Sequence, residues 1–279
     1  MGIDIGGAHL KIVGVNANKN VVYVDYISCK VWKGTKDLKK EFKRINATIN
    51  NRSVKCGITM SAELCDNFKN RKHGATELMK VCKTLEFINY FYISSSKIFT
   101  KKPKYKHLIS MNWHSIGKFL EKKIDNAILI DFGSTTTDFV CIKNFKVINK
   151  YTDDFSRLNN HELLYSGFTR TPTFGLAHYI NLNKKKLHII PEFFSDTSDI
   201  YRILGELDKK VDLDNTANNG KKKVIDSLKR FSRSFGFDYE KVYLKKLQII
   251  ARKLSNMQLD EIFKITSTLQ SKYFLKSQP

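Results

Sequence analysis

Three short runs open the chain in which apolar positions alternate with polar or small ones: GIDI (2–5), HLKIVGV (9–15) and VVYVDYI (21–27), parted by the turn-like GGA and NANKN. A period of two over short stretches bounded by Gly and Asn predicts a meander of three strands. The period then lengthens. TKDLKKEFKRINATI (35–49) spaces its apolar residues at helical intervals, SVKCGITM (53–60) reads as a strand, GATELMKVCKTLEFI (74–88) as a second helix and YFYIS (90–94) as a further strand. The order is βββαβαβ. After a helical stretch, WHSIGKFLEKK (113–123), the opening pattern returns as NAILIDFG (126–133), TTDFVCI (136–142) and FKVIN (145–149). A repeat of this length predicts two homologous lobes, and the division is placed at 124/125, giving lobes 1–124 and 125–279. The second lobe departs from the first by turning helical after Thr173. EKVYLKKLQIIARKL (240–254) and LDEIFKITSTLQSKYF (259–274) form two amphipathic helices at the tail. The class predicted is α/β.

Composition narrows the function classes. No run of eighteen apolar residues occurs, and MGIDIGGAHL carries acid and glycine where a secretory leader needs a basic start and an apolar centre. A cytoplasmic protein without a membrane partner is expected. Five cysteines, Cys29, Cys56, Cys65, Cys82 and Cys141, are scattered and never spaced as CxxC, which points to buried reduced thiols rather than a disulfide or zinc framework. The formal net charge is +22. Its lysines are spread in ones, twos and threes among Asn, Ile, Phe and Tyr, so no clustered phosphate-backbone footprint emerges and no nucleic-acid partner is expected. A positive field still concentrates small anionic substrates.

Candidate chemistry sits in two turns. Asp4-Ile5-Gly6-Gly7-Ala8-His9-Leu10-Lys11 and Asp131-Phe132-Gly133-Ser134-Thr135-Thr136-Thr137-Asp138 each join the first and second strands of a meander. Glycine lets backbone N–H groups approach an anion, hydroxyls donate further hydrogen bonds, and an aspartate at a strand end is suited to a hydrated magnesium ion. Either turn alone reads equally well as a tight hairpin. Paired at the start of two repeated units, they are expected to face one another as a phosphate clamp.

The pairing resembles the two phosphate loops of the actin and sugar-kinase superfamily, which implies ribonuclease-H-like lobes and, as one alternative, an ATP-dependent small-molecule kinase. That superfamily adds a Gly-Gly adenosine turn late in its second lobe. Here the only Gly-Gly is Gly6-Gly7, and later glycines stand singly at Gly167, Gly175, Gly205, Gly220 and Gly236. No nucleotide cofactor is therefore expected.

Longer strings carry a second resemblance: GITMSAELCDNFKNRKHG (57–74), IDFGSTTTDF (130–139), DDFSRLNNHELLYSGFTRTP (153–172) and PEFFSDTSDIYRILGEL (191–207). They are similar to the hydantoinase/oxoprolinase-like family of tetrahydromethanopterin-linked one-carbon transfer pathway proteins, from residue 1 to about residue 237. The resemblance implies an ether-forming transferase of methanofuran biosynthesis. In that reaction a (5-aminomethyl-3-furyl)methyl diphosphate loses pyrophosphate to the phenol oxygen of a tyramine or tyrosine derivative such as gamma-glutamyltyramine. Two small-molecule partners then explain a phosphate grip without an adenosine seat. The diphosphate falls to Gly6, Gly7, Gly133, Ser134, Thr135 and Thr136 with Lys11, and magnesium to Asp4, Asp131 and Asp138. Arg170 is either a second cation for the diphosphate or half of a structural ion pair. Glu63 is a general base, a partner for a substrate ammonium, or a carboxylate on a helix dipole. Tyr165, Glu162 and Arg157 are expected to shape the substrate crevice. One departure stands in NTANNGKKK (215–223), where Asn218 and Asn219 replace the single aspartate of a TADG-like turn; asparagine serves equally as a helix cap.

Overall fold

The first five strands and the helices read in the first half appear in the computed structural model, which describes residues 1–108 and 110–274. The second helix, read to 88, stops at Cys82, and a strand at Ile98–Thr100 was not read from the sequence. In order come β1 (Gly2–Ile5), β2 (His9–Val15), β3 (Val21–Ser28), α1 (Lys36–Thr48), β4 (Lys55–Met60), α2 (Arg71–Cys82), β5 (Ile88–Ile93), β6 (Ile98–Thr100) and α3 (Asn112–Leu120). They are followed by β7 (Ala127–Phe132), β8 (Thr137–Lys143), β9 (Lys146–Val147), α4 (Asp154–Asn159), β10 (Leu163–Leu164), α5 (Thr173–Leu176), β11 (Tyr179–Leu182), β12 (Lys185–His188), α6 (Thr197–Leu204), α7 (Val224–Arg233) and α8 (Leu244–Tyr273). The chain is a mixed α/β protein of two compact units. One holds residues 1–125 and 144–156, the other 126–143 and the chain from Arg157 onward. The first cut thus falls at 125/126 rather than 124/125, and the return of 144–156 to the first unit was not foreseen.

In the first unit the sheet order is β3-β2-β1-β4-β5-β6. β1 and β4 run parallel, as do β4 and β5, while β2 is antiparallel to both of its neighbours. Because Ile5 pairs with Met60 in register, the β1–β2 turn and the loop leaving β4 emerge from the same end of the sheet. Ile3, Ile5, Leu10 and Ile12 meet Leu38, Phe42 and Ile45 of α1 and Leu78 and Val81 of α2 in one core, each such side chain contributing roughly 1.5–3 kcal/mol on burial. α2 begins three residues before its predicted start because the Asn70 side chain accepts from His73 N at 2.9 Å, capping the helix. A Cβ on Gly74 would lie 2.3 Å from the Glu63 carbonyl oxygen, so glycine there lets α2 pass against the loop that carries Glu63.

The second unit holds an antiparallel sheet in the order β10-β8-β7. The strand predicted over 145–149 shrinks to the two residues of β9. The stretch after Thr173, expected to turn helical, contains the β11–β12 hairpin. Its two-residue turn puts Asn183 at φ 49 and Lys184 at φ 62, the left-handed pair a tight hairpin needs, and the lysine run hides the alternation. The two predicted tail helices are one helix of 30 residues. Ser255 and Gln258, polar where a break was read, are buried. Gln258 accepts from Tyr201 Oη at 2.8 Å and donates to Ser166 Oγ at 2.7 Å and the Gly167 carbonyl at 3.0 Å.

The PEFFSDTSDIYRILGEL string is a structural knot. Asp196 caps α6 by accepting from Asp199 N, and Gly205 ends it at φ 74. Asp199, wholly buried, accepts from Arg202 at 2.8 Å and from Arg230 Nε at 3.0 Å, which ties α6 to α7, and Arg202 forks onto Asp212. Burial, reinforced by Asp199, raises the Asp196 carboxyl. Among the described residues no helix is long and apolar enough to cross a membrane.

Candidate functional site

Both glycine turns are built by the same hydrogen bond. Gly6 N donates to the His9 carbonyl at 2.9 Å, and Gly133 N donates to the Thr136 carbonyl at 2.9 Å. In each a Cβ on the glycine would stand 3.1 Å from that oxygen, so the close turn favours glycine. Among the described residues the next two N–H groups, of Gly7 and Ala8 in one turn and Ser134 and Thr135 in the other, donate to no protein acceptor. Adjacent open N–H groups after a tight turn form a concavity for an anion.

In the first unit, Asp4 is paired across the strands with Lys11 and, on its other side, with Thr59. One of its oxygens accepts from Thr59 Oγ1 at 2.8 Å and the other lies 3.7 Å from Lys11 Nζ. Both oxygens of this expected metal ligand therefore already have protein partners. Gly7 lies against the loop after β4: a Cβ there would be 3.2 Å from Cys65 Sγ. Two residues earlier in that loop, Glu63 is wholly buried. Its Oε1 accepts from Ser110 Oγ at 2.8 Å, and Oε2 has no hydrogen-bond partner among the described residues. Burial pushes this carboxyl up to about 7; Asp154 adds to the rise, while Ser110 and Arg71 oppose it. Arg71 in turn is paired with Asp154 at 3.3 Å. Ser110, which carried no sequence signal, holds a left-handed φ of 42, a conformation a non-glycine residue keeps only when its surroundings enforce it.

In the second unit, Asp131 and Asp138 are direct cross-strand partners, so their side chains share one face of the sheet. Asp138 accepts from Arg157 Nη1 at 2.7 Å, and Arg157, almost wholly buried, also donates to the Glu162 carbonyl at 2.8 Å. Glu162 is wholly buried and accepts from Tyr273 Oη at 3.0 Å. Arg157 and Glu162 thus hold the interior of this unit together instead of lining a crevice, whereas Tyr165 is half exposed. The chain from Ser166 to Thr171 lies along the turn. Phe168 N donates to the Gly133 carbonyl at 2.8 Å and Arg170 N to the Ser134 carbonyl at 3.0 Å. A Cβ on Gly167 would collide with Ser134 O at 2.4 Å and Thr135 N at 2.5 Å, which explains glycine in the string YSGFTRTP. Arg170 Nη1 reaches Thr135 Oγ1 at 3.3 Å. Asn218 caps its own turn, accepting from Gly220 N at 3.0 Å, and not the following helix, whose cap position Lys223 makes no side-chain cap.

Among the described residues no group of three or more His, Cys, Asp or Glu forms a metal cluster. Magnesium asks less of a protein: one or two carboxylates, with waters and phosphate oxygens completing the shell. Asp131 fits that requirement, with Asp138 facing it across the strands, although the Asp138 oxygens, like those of Asp4, already have protein partners in Arg157 at 2.7 Å and Thr136 Oγ1 at 3.5 Å. The cysteines are all free, four buried and Cys65 half-buried.

A model of the hydantoinase/oxoprolinase family matches residues 60–277, and the chain belongs to that family. It is 31% identical over 280 residues, 99% of this chain and 83% of the relative, to the (4-{4-[2-(gamma-L-glutamylamino)ethyl]phenoxymethyl}furan-2-yl)methanamine synthase of Methanocaldococcus jannaschii. The synthase of the same name from Methanococcus vannielii is 33% identical over 164 residues, 57% of this chain and 72% of that protein. Solved structures that resemble it include an exopolyphosphatase from Cytophaga hutchinsonii, with 14% identity, TM-score 0.34 and coverage of 57% of each chain. The Ppx/GppA family member of Aquifex aeolicus has 15% identity and TM-score 0.34, with coverage of 62% of this chain and 55% of that one. The chain thus spans little more than half of each of these two structures.

Proposed function

We propose that the chain is a synthase of the type its relatives are named for, joining a furanylmethyl diphosphate to the phenol of a gamma-glutamyl tyramine derivative with release of pyrophosphate. The observation that carries the reading is the repeated turn, with a glycine-closed hydrogen bond and two open N–H groups each time. Identity to a named synthase over 99% of the chain supports it over the kinase alternative. The strand order β3-β2-β1-β4-β5, with β1, β4 and β5 parallel, supports a ribonuclease-H-like lobe of the actin-like type.

The chemistry asked of the residues is a substitution. The bond from the furan methylene carbon to the diphosphate oxygen breaks, its electron pair leaving with pyrophosphate. A bond from the phenol oxygen to that carbon forms, and the phenol proton goes to a base. The furan ring shares the positive charge that builds on carbon. In the second unit the N–H groups of Ser134 and Thr135, with Arg170, stabilise the leaving diphosphate, and in the first the N–H groups of Gly7 and Ala8 beside Lys11 are of the same kind; donors already in place cost no reorganisation as charge develops. Asp131 and Asp138 would hold magnesium, which when bound would neutralise part of the diphosphate charge. Glu63 takes the phenol proton: a carboxyl near 7 is matched to general-base work at neutral pH.

The test is the pH dependence of ether formation and pyrophosphate release. The wild-type rate is expected to rise with pH through about 7, and Glu63→Gln to remove that limb and lower the rate ~100-fold to 10,000-fold. Stability moves oppositely. A carboxyl raised from 4.5 to about 7 favours the folded state fully below 4.5, and that contribution is lost as pH rises to about 7. Glu63→Gln should therefore melt like wild type at pH 4 and above it at pH 8. ATP hydrolysis stimulated by a small alcohol, with no ether formed, would overturn the proposal in favour of the kinase.

A further inference from the structure

We infer that Asp214 is a positioning residue that aims the Arg170 guanidinium along the Ser134–Thr135 turn, toward a bound diphosphate; the inference rests on the reading of that turn under Proposed function. Arg170 begins on the turn, its backbone N donating to the Ser134 carbonyl at 3.0 Å. Its guanidinium then has two protein neighbours on different edges. Nη1 donates to Thr135 Oγ1 at 3.3 Å, and Nε faces Asp214 Oδ1 at 3.9 Å. Nη2 donates to no described residue. The side chain is about one-third exposed, so the remaining edge is available to an anion.

Asp214 is well placed to orient rather than to bind. Its Oδ2 accepts from Thr169 Oγ1 at 3.0 Å, the residue immediately before Arg170, so one carboxylate is hydrogen-bonded to one side chain of the segment that lies on the turn and faces the charge of the next. Its side chain is mostly buried. The segment that carries it is closed just beyond, where Thr216 Oγ1 donates to the Gly220 carbonyl at 3.0 Å and Arg230 Nη1 donates to the Lys221 carbonyl at 3.1 Å. A planar guanidinium with Nη1 hydrogen-bonded to Thr135 and a carboxylate drawing its Nε edge electrostatically is biased in its orientation, and its remaining edge presents donors in a fork suited to phosphate oxygens. Asp214 faces Arg170 and Asp138 pairs with Arg157, whereas Asp131 makes no ion pair among the described residues.

The experiment measures binding of inorganic pyrophosphate with magnesium by calorimetry to the full-length wild type, Asp214→Ala, Asp214→Asn, Asp214→Glu, Arg170→Ala and the Asp214→Ala/Arg170→Ala double variant. Melting curves establish that each is folded. Asp214→Ala is expected to weaken binding about 10-fold when Arg170 is present and to change little when Arg170 is already alanine, the non-additivity of a coupled pair. Asp214→Asn keeps an acceptor for Thr169 and tests the charge alone; it should lose most of that affinity, while Asp214→Glu recovers part of it. Equal losses from Asp214→Ala with and without Arg170, or no loss at all, would overturn the inference while leaving the turn as the diphosphate site. Wild type that binds no pyrophosphate would instead overturn the site itself, and the inference with it.

Discussion

The β1–β2 and β7–β8 turns close with the same glycine hydrogen bond, yet the residue across from the strand-end aspartate differs. Asp4 faces Lys11 and Asp131 faces Asp138. In the first unit the charge is compensated within the turn, by a lysine that is half exposed. In the second, two carboxylates share one face of a sheet, and Arg157 of α4 neutralises only one of them. Repeating a backbone device therefore does not repeat its electrostatics. Like charges face each other only on the second turn, so the proposed magnesium function is assigned there, while Asp4 and Lys11 form an ion pair.

The comparison is most severely tested at Asp138. Asp138→Asn leaves the buried Arg157 without its carboxylate, and removing one partner of a buried pair costs roughly 3–5 kcal/mol. The second unit should lose that much stability, read as a lower denaturant midpoint; a midpoint equal to wild type would mean that the pair is not what holds α4 to β8. The same substitution at its cross-strand partner should do the reverse. Asp131→Asn is expected to lower the rate of ether formation about 100-fold to 1000-fold, the size of losing one preorganised electrostatic contact, with a melting temperature unchanged or raised because two facing carboxylates no longer repel. Near-full activity at saturating magnesium would show that the second turn does not hold the reacting diphosphate. The smallest stability effect belongs to the first turn, where Lys11→Met should cost at most ~1 kcal/mol since the pair is partly solvated, while pyrophosphate affinity falls more steeply at low salt than at high salt. A loss as large as that of Asp138→Asn would make the two turns electrostatically alike and remove the distinction between them.

Much of this architecture was legible from the chain alone. The β1–β2 and β7–β8 turns, most strands and α1 follow from local causes: apolar alternation, helical spacing, and a hydrogen bond between residues three apart, Gly6 to His9 and Gly133 to Thr136. The β11–β12 hairpin was missed because its lysine run hides the alternation, and the continuity of α8 because its polar residues are satisfied by partners distant in sequence, as Gln258 is by Ser166 and Gly167, 92 and 91 residues away. The candidate site divides along the same line. Asp131, Gly133, Glu63 and Arg170 announced themselves as residue types in a pattern, but their circumstances did not. Arg157 reaches Asp138 across 19 residues, Thr135 receives Arg170 across 35, and Ser110 meets Glu63 across 47. Gly167 is glycine because it presses on Ser134, 33 positions earlier. Neighbours along the chain set the shape of a turn because their dihedral preferences act without help. Which charge is paired, which carboxyl is buried and raised, and which N–H groups stay open depend on segments brought together by burial of the cores, and only the folded chain decides them.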